Sequence, residues 1–295
     1  MRIAFIGLGE AASAFITGWG PERAGQITAF DRKTADPATA EEITDRAASL
    51  GVTACASPAE ALAGAELVFS TVTADQAIAA AEACAPHLPE GAQWCDLNSC
   101  APASKVHAAG LITRAGGRYL DVAVMAPVHP RLNMVPCLVS GPEARAMAPV
   151  LDGLPMALRV VGDAVGRASS IKMVRSIMVK GLEALTAECT LAAQAAGVAD
   201  EVFPSLAAAS PPIDVPARAA YNFERSLRHG ARRAAEMDEV ARMLRDLGLP
   251  DAMARATSEW QARLAATGVT PPEGADLPDH DWFAEAILQA FGRKG

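Results

Sequence analysis

A glycine-rich turn near the start of the chain constrains the fold more than any other feature. Gly7-Leu8-Gly9-Glu10-Ala11-Ala12 follows an apolar run, Arg2–Ile6, and opens a helical stretch, Ala11–Gly18. In this G-x-G-x-x-A spacing the first glycine permits a tight turn and the second lets a pyrophosphate approach the backbone. The small third residue lets helix and strand pack closely, while the helix N-terminus faces the negative charge. A strand-to-helix turn that binds nothing is the alternative. Against it stands Asp31, at the end of the second apolar run and near the ~20-residue offset expected for a ribose-binding acid. Asp31 would repel a 2′-phosphate and so predicts NAD. Arg32 and Lys33 leave NADP possible, because they could hold that phosphate instead. The cofactor candidates are Gly7, Leu8, Gly9, Glu10, Ala11, Asp31 and Arg32, with Thr71 and Val72 where the Leu67–Thr71 run ends.

Strand-like runs alternate with alanine-rich helical stretches through the first half. Arg2–Ile6, Ile27–Phe30, Leu67–Thr71, Gln93–Leu97, Tyr119–Val124, Pro136–Ser140 and Leu158–Val161 read as strands. Ala11–Gly18, Pro37–Leu50, Pro58–Ala63, Ala74–Ala85 and Pro102–Ala115 read as helices. Apolar, non-alternating strands imply a parallel sheet covered on both faces. After Gly162–Gly166 the pattern changes. Ser169–Ala196 predicts one helix of ~40 Å, with Ser169 or Ser170 as N-cap and Gly197 as terminator. Pro216–Ala235, Glu236–Leu247 and Asp251–Ala266 predict further helices, with proline-punctuated loops at Pro204–Pro216 and Val269–Pro278. The expected fold is therefore α/β: an N-terminal Rossmann-type doubly wound sheet, residues 1–165, then an all-helical domain, residues 166–295, joined by a long interdomain helix.

Composition narrows the function. Lys and Arg number 26 against 34 Asp and Glu, a net charge of −8. That field repels a nucleic-acid backbone, so no nucleic-acid partner is expected. Six cysteines form no C-x-x-C pair and five histidines form no metal-ligand cluster, which predicts a reducing cytoplasm and no metal site. No apolar run is long enough to span a membrane. The long apolar helix and the all-helical C-terminal half exceed what one small domain buries, so a homodimer is expected.

Four segments resemble the β-hydroxyacid dehydrogenase family, which includes 3-hydroxyisobutyrate and 6-phosphogluconate dehydrogenases. They are the Gly7–Ala12 turn, Asp96-Leu97-Asn98-Ser99-Cys100-Ala101-Pro102, Asp121-Val122-Ala123-Val124-Met125-Ala126-Pro127, and Gly162-Asp163-Ala164-Val165-Gly166 with Lys172. The likeness spans nearly the whole chain. It implies hydride transfer between a nicotinamide and a small anionic hydroxy acid, with Lys172 as general acid–base, Ser176 as a hydrogen-bonding partner, and Ser99 beside both cofactor and substrate. Met125-Ala126-Pro127 stands where the family has Ser-Gly-Gly for the substrate carboxylate, and Pro127 lacks an N–H. Ser176 replaces an asparagine, and Ala235-Glu236 stands for a Lys-Asp pair. These departures resemble a divergent 6-phosphogluconate-dehydrogenase-like branch.

The residues themselves carry part of this reading. Lys172, Ser176 and Lys180 share one helical stripe among apolar neighbours. Burial and nearby positive charge would free a neutral amine for proton transfer, whereas a solvated lysine is the plainer alternative. Lys180 is open between ligand contact and structural pairing. In the arginine-rich C-terminal stretch, His229 and Arg232 are candidates for a substrate carboxylate. The competing reading is a face paired to Glu224, Glu236, Asp238 and Glu239. His129 and Arg131 read as loop residues with a substrate contact as the alternative, and Cys95 and Cys100 as packing residues. Two further functions compete: an imine or ketone reductase of the same architecture, and a non-catalytic dinucleotide-binding regulatory protein.

Overall fold

The computed structural model describes residues 1–147, 153–209, 214–272 and 278–292 (for Ala217, the backbone only). Contacts divide the chain into two units, Met1–Met173 and Val174–Gly295.

The first unit is an eight-stranded sheet. In chain order its strands are β1 (Ile3–Ile6), β2 (Ile27–Phe30), β3 (Thr53–Ala54), β4 (Leu67–Ser70), β5 (Gln93–Asp96), β6 (Arg118–Val124), β7 (Cys137–Ser140) and β8 (Leu158–Gly162). Their spatial order is β3-β2-β1-β4-β5-β6-β7-β8. The helices are α1 (Glu10–Trp19), α2 (Pro21–Ala24), α3 (Pro37–Leu50), α4 (Pro58–Leu62), α5 (Ala77–Cys84) and α6 (Pro102–Arg114). Successive side chains on a strand point to opposite faces, and here both faces are apolar. Ile3, Phe5, Phe69 and Leu120 join one core with α1 and α3, whereas Ala4, Ile6, Val68 and Trp94 join a second with α4, α5 and α6. Phe5 and Phe69 stack with ring centroids 5.1 Å apart.

Helix boundaries follow local chemistry. The Asp36 side chain accepts the Ala38 N–H at 2.9 Å, Pro37 occupies the first turn of α3, and Gly51 ends it at φ +68°. Ser57 caps α4 through the Glu60 N–H.

Three expectations need correction here. The sheet is not wholly parallel: β6 pairs antiparallel with β7, and β8 runs parallel to β7. Residues 125–136 hold only a short 3₁₀ turn at Leu132–Met134, and without a crossover helix the chain can only double back. The two-residue β3 was not anticipated. The long helix α7 (Arg167–Ala196) starts before Ser169, so neither predicted serine is its N-cap. Ser170 Oγ instead donates to the Gly166 carbonyl at 2.8 Å, and Ser169 reaches a strand carboxylate.

The second unit is helical, with the remainder of α7, α8 (Ala199–Ala207), α9 (Val215–Asp246), α10 (Ala252–Ala266) and α11 (His280–Ala290). The expected break at Ala235–Glu236 is absent and α9 is continuous, because both residues are compatible with helix and no glycine or proline intervenes. The predicted loops at Pro204–Pro216 and Val269–Pro278 fall partly on residues 210–213 and 273–277, outside the described residues. In the described part, Pro204 lies inside α8, where its carbonyl accepts the Ala208 N–H at 3.0 Å. Leu191, Phe223, Leu264, Phe283 and Ile287 form the core. At Gly230 the α9 backbone meets α10 so closely that a Cβ would lie 2.4 Å from the Gln261 carbonyl oxygen.

Candidate functional site

In an open α/β sheet, ligands bind beyond the carboxyl ends of the strands, where the strand order reverses. Here that point lies between β1 and β4, and the turns after both strands are interlocked. Gly7 has φ +91°, and a Cβ on it would stand 2.7 Å from the Thr71 carbonyl oxygen, so only glycine fits. Thr71 Oγ1 donates to the Gly7 carbonyl at 2.7 Å. Leu8 is fully buried; its N–H donates to Asp31 Oδ2 at 2.9 Å and its carbonyl accepts Arg46 at 2.9 Å. Leu8 thus shapes the turn rather than offering its amide to a ligand.

Gly9 behaves differently. It is the N-cap of α1, and among the described residues no side chain caps that helix and a Cβ built on Gly9 meets nothing within 4 Å. Open space therefore lies against the N-terminus of α1, while Ala12 is packed into the core. A dinucleotide pyrophosphate fits this arrangement. Asp31, after β2, uses Oδ1 to accept the Lys33 N–H at 3.0 Å. Each carboxylate oxygen keeps further acceptor capacity for ribose hydroxyls. Arg32 donates to Gln76 Oε1 at 2.6 Å, and Lys33 pairs with Glu42 at 3.4 Å. Glu10 is exposed, whereas Ala11 and Val72 are half-buried.

Further along the same edge, the half-buried Lys172 Nζ donates to Ser99 Oγ. Cys137 lies close by. Burial pushes its thiol up to about 12, and the Lys172 cation offsets part of that rise. Asn98, buried beside Ser99, donates to Ser70 Oγ at 2.9 Å, while its Oδ1 is buried with no hydrogen-bond partner among the described residues. Sequence reasoning passed over this acceptor.

Beneath Ser99 and Lys172 lies a charged cluster that it also missed. Lys105 of α6 is 0% exposed, with Nζ 2.8 Å from Asp96 Oδ1 and 3.5 Å from Asp121 Oδ1. Desolvation favours a neutral lysine, but Asp96, Cys100 and Asp121 outweigh it and push the Lys105 pKa above its usual value. Burial and the neighbouring Asp96 carboxylate hold Tyr119 protonated, its hydroxyl donating to Asp96 Oδ2 at 2.6 Å. One sequence signal was available: Asp96 stands at the end of one apolar run and Asp121 in the middle of another, and a buried charge requires a partner.

The loop at Met125-Ala126-Pro127 follows β6. The Met125 N–H donates to the Pro136 carbonyl at 2.8 Å, and its side chain packs toward Ala123, Leu138 and Ala168. That amide is engaged within the sheet. Pro127, His129 and Arg131 are exposed.

In the second unit the Ser176 hydroxyl accepts from Lys180 at 3.3 Å, and Lys180 pairs with Glu236 at 2.8 Å. One turn along α7, Glu183 pairs with the buried Arg233. Arg228, Arg242 and Arg245 pair with Glu224, Glu239 and Asp251. Much of the arginine-rich stretch is therefore structural pairing. His229 is half-buried and Arg232 exposed on α9.

Residues 2–161 match the NAD binding domain of 6-phosphogluconate dehydrogenase. The chain belongs to that family. Residues 193–264 of this 6-phosphogluconate-dehydrogenase-like chain match a second model, a domain of unknown function, DUF1932. A conserved hypothetical protein from Sinorhizobium meliloti is 38% identical, covering 98% of this chain and 96% of its own, with a TM-score of 0.75. A conserved protein of unknown function, described as structurally similar to 3-hydroxyacid dehydrogenases, is 27% identical. It covers 92% of this chain and 100% of its own, with a TM-score of 0.64. The fold is shared with Mycobacterium tuberculosis 3-hydroxyisobutyrate dehydrogenase, 19% identical over 98% of this chain and 99% of that one, with a TM-score of 0.70. The cofactor class is thus a nicotinamide dinucleotide. Among the described residues, no helix is long and apolar enough to cross a membrane.

Proposed function

We propose that this chain is an NAD(P)-dependent oxidoreductase transferring hydride between a nicotinamide cofactor and a β-hydroxy acid or related alcohol, with Lys172 as general acid–base. The observation that carries this reading is the Lys172 hydrogen bond to Ser99, on the sheet edge where the Gly7–Ala12 turn opens. A bound nicotinamide supplies the hydride acceptor, or in reverse the donor. In oxidation, neutral Lys172 takes the carbinol proton at Nζ as the carbinol carbon loses hydride; in reduction the lysine returns that proton. Ser99 orients the lysine and the substrate oxygen together. Ser176, four residues on along the same helix, is assigned a supporting hydrogen-bonding role.

NAD is the favoured cofactor, because the Asp31 carboxylate stands at the end of β2 where a 2′-phosphate would meet like charge. With the Met125 amide engaged and Pro127 lacking one, the substrate anion is assigned to side chains. His229 and Arg232 are the candidates, proposed on residue chemistry. Ser99, Met125, Ala126 and Pro127 complete the proposed substrate contacts. The nucleotide role is assigned to residues 1–165, and substrate and dimer roles to residues 166–295. A homodimer is proposed from α7, where Val174, Met178, Leu182 and Leu185 are 56, 64, 43 and 60% exposed at helical spacing, a stripe a second copy would cover. The cytoplasm suits the six free cysteines.

The test is a panel of hydroxy acids, imines and ketones, followed by the absorbance of reduced nicotinamide in the wild type and Lys172→Ala. Loss of ~10²–10⁴-fold in turnover with cofactor binding retained supports the assignment. Imine reduction that ignores Lys172 replaces it with an imine reductase. Cofactor binding without any turnover replaces it with a regulatory binding protein. His229→Ala and Arg232→Ala should raise the substrate KM, and sedimentation velocity reads the dimer.

A further inference from the structure

Two segments meet at Lys172 and Ser99, and one buried side chain is connected to both. The first is the turn after β5. Asp96 Oδ1 accepts the Asn98 N–H at 2.9 Å, one residue before Ser99. The second is the opening of α7. Asp121 Oδ2 accepts the Ser169 N–H at 3.0 Å, and Oδ1 accepts the Ser169 hydroxyl at 2.6 Å, three residues before Lys172. Ser140 Oγ donates to Asp121 at 3.2 Å and accepts the Ala168 N–H at 3.0 Å, so two amides of the same helical turn are held. Between the carboxylates lies Lys105, bonded to the Asp96 carbonyl and Oδ1 at 2.8 Å each and 3.5 Å from Asp121.

We propose that Lys105 is a positioning residue: through Asp96 and Asp121 it grips the turn that presents Ser99 and the helical turn that presents Lys172, and so sets their mutual geometry. A buried ion pair seldom stabilises a fold more than apolar packing of equal volume does, so stability alone does not account for a fully buried lysine between two aspartates. The second negative charge faces the N-terminus of α7, whose dipole and N–H groups compensate it. Fully buried and held as the ammonium, Lys105 is not itself placed to exchange protons with a substrate.

The proposal rests on the reading of Lys172 as the proton-handling group, so its test includes a measurement that needs no turnover. Lysines of the full-length protein are ¹³C-methylated reductively. The Lys172 methyl resonance is assigned by its loss in Lys172→Arg, and the exposed Lys33, whose pair with Glu42 lies at the surface, serves as the reference. The resonance should be displaced from that of Lys33 in the wild type and move toward it in Lys105→Met and Ser169→Ala. On the best substrate of the panel, kcat should fall by about 10²-fold in Lys105→Met, the scale expected for ~1 Å misplacement. Cofactor Kd should stay within about 2-fold. An unmoved resonance in a folded variant overturns the proposal. So does a fall in kcat accompanied by equal loss of cofactor affinity and melting temperature, which marks mere structural support. Should Lys105→Met fail to fold, Ser169→Ala decides, because it removes the hydroxyl bond from α7 to Asp121 while leaving the Ser169 and Ala168 amide bonds and Lys105 in place. A moved resonance with full turnover in Lys172→Ala upholds the positioning and discards the acid–base reading.

Discussion

Replacing Gly9 with serine separates cofactor binding from folding, because the structure gives the two effects opposite signs. Gly9 has φ −88° and ψ −161°, a conformation open to any residue, and its Cβ direction is clear. Serine is a better N-cap than glycine by a few tenths of a kcal/mol, because its hydroxyl accepts an N–H from the first turn of α1. The melting temperature should hold or rise slightly. The same N–H groups are the donors proposed for pyrophosphate, and the new side chain fills the space it needs. Loss of one charge-assisted hydrogen bond, roughly 1.5–3 kcal/mol, with steric exclusion added, should raise the cofactor Kd by about 10²-fold. Calorimetric titration with NAD and NADP measures the affinity, and thermal unfolding measures the fold. The control is Gly7→Ala. There, positive φ costs about 1–2 kcal/mol and the Thr71 carbonyl at 2.7 Å adds overpacking of similar size, so melting should drop by roughly 5–15 °C. Unchanged cofactor affinity in a folded Gly9→Ser protein would refute the assignment of the α1 N-terminus as the phosphate site.

Asp31→Ser should loosen the Gly7–Gly9 turn and shift preference toward NADP; an unchanged ratio of kcat/KM for the two cofactors removes Asp31 from their discrimination. Gly230→Ala, although alanine is the better helix former, should destabilise the helical unit by about 1–3 kcal/mol, read as a lower denaturant midpoint, because α9 and α10 must separate. Cys84 and Cys137 are both pushed up to about 12 by burial, so at pH 8 only about one thiol in 10⁴ is ionised in the native state. Raising the pH from 7 to 9 should leave them unalkylated by iodoacetamide while the half-buried Cys189 reacts, as mass spectrometry would read.

Local features of the chain were legible in proportion to how local their cause is. The Gly7–Ala12 turn, the capped α3 and the long α7 each rest on residues a few positions apart, and the strand runs were placed within a residue or two. The reversal at β7 had a readable cause, the lack of a crossover helix in residues 125–136, but apolar runs carry no arrow of direction. The continuous α9 was expected as two helices, Pro216–Ala235 and Glu236–Leu247, where helix propensity alone would have joined them. At the site, Ser99 and Lys172 were named together from motif order, and the structure brings them into contact. Lys105 was invisible. On a helix its neighbours in sequence do not explain it, and its partners lie on two strands brought alongside only by the sheet.

That sheet has a further property. Strands apolar on both faces give little information about register, because sliding one by a residue exchanges one greasy surface for another. A single cross-row supplies what the apolar pattern lacks: Ser70, Asp96, Asp121 and Ser140 are aligned neighbours on β4 to β7. A slip of β5 or β6 by one position would carry an aspartate to the opposite face, away from Lys105, and strand a charge in the core. Misaligned sheets are thus penalised far more than their hydrophobic packing would reveal, and the row acts as a registration mark for assembling the strands.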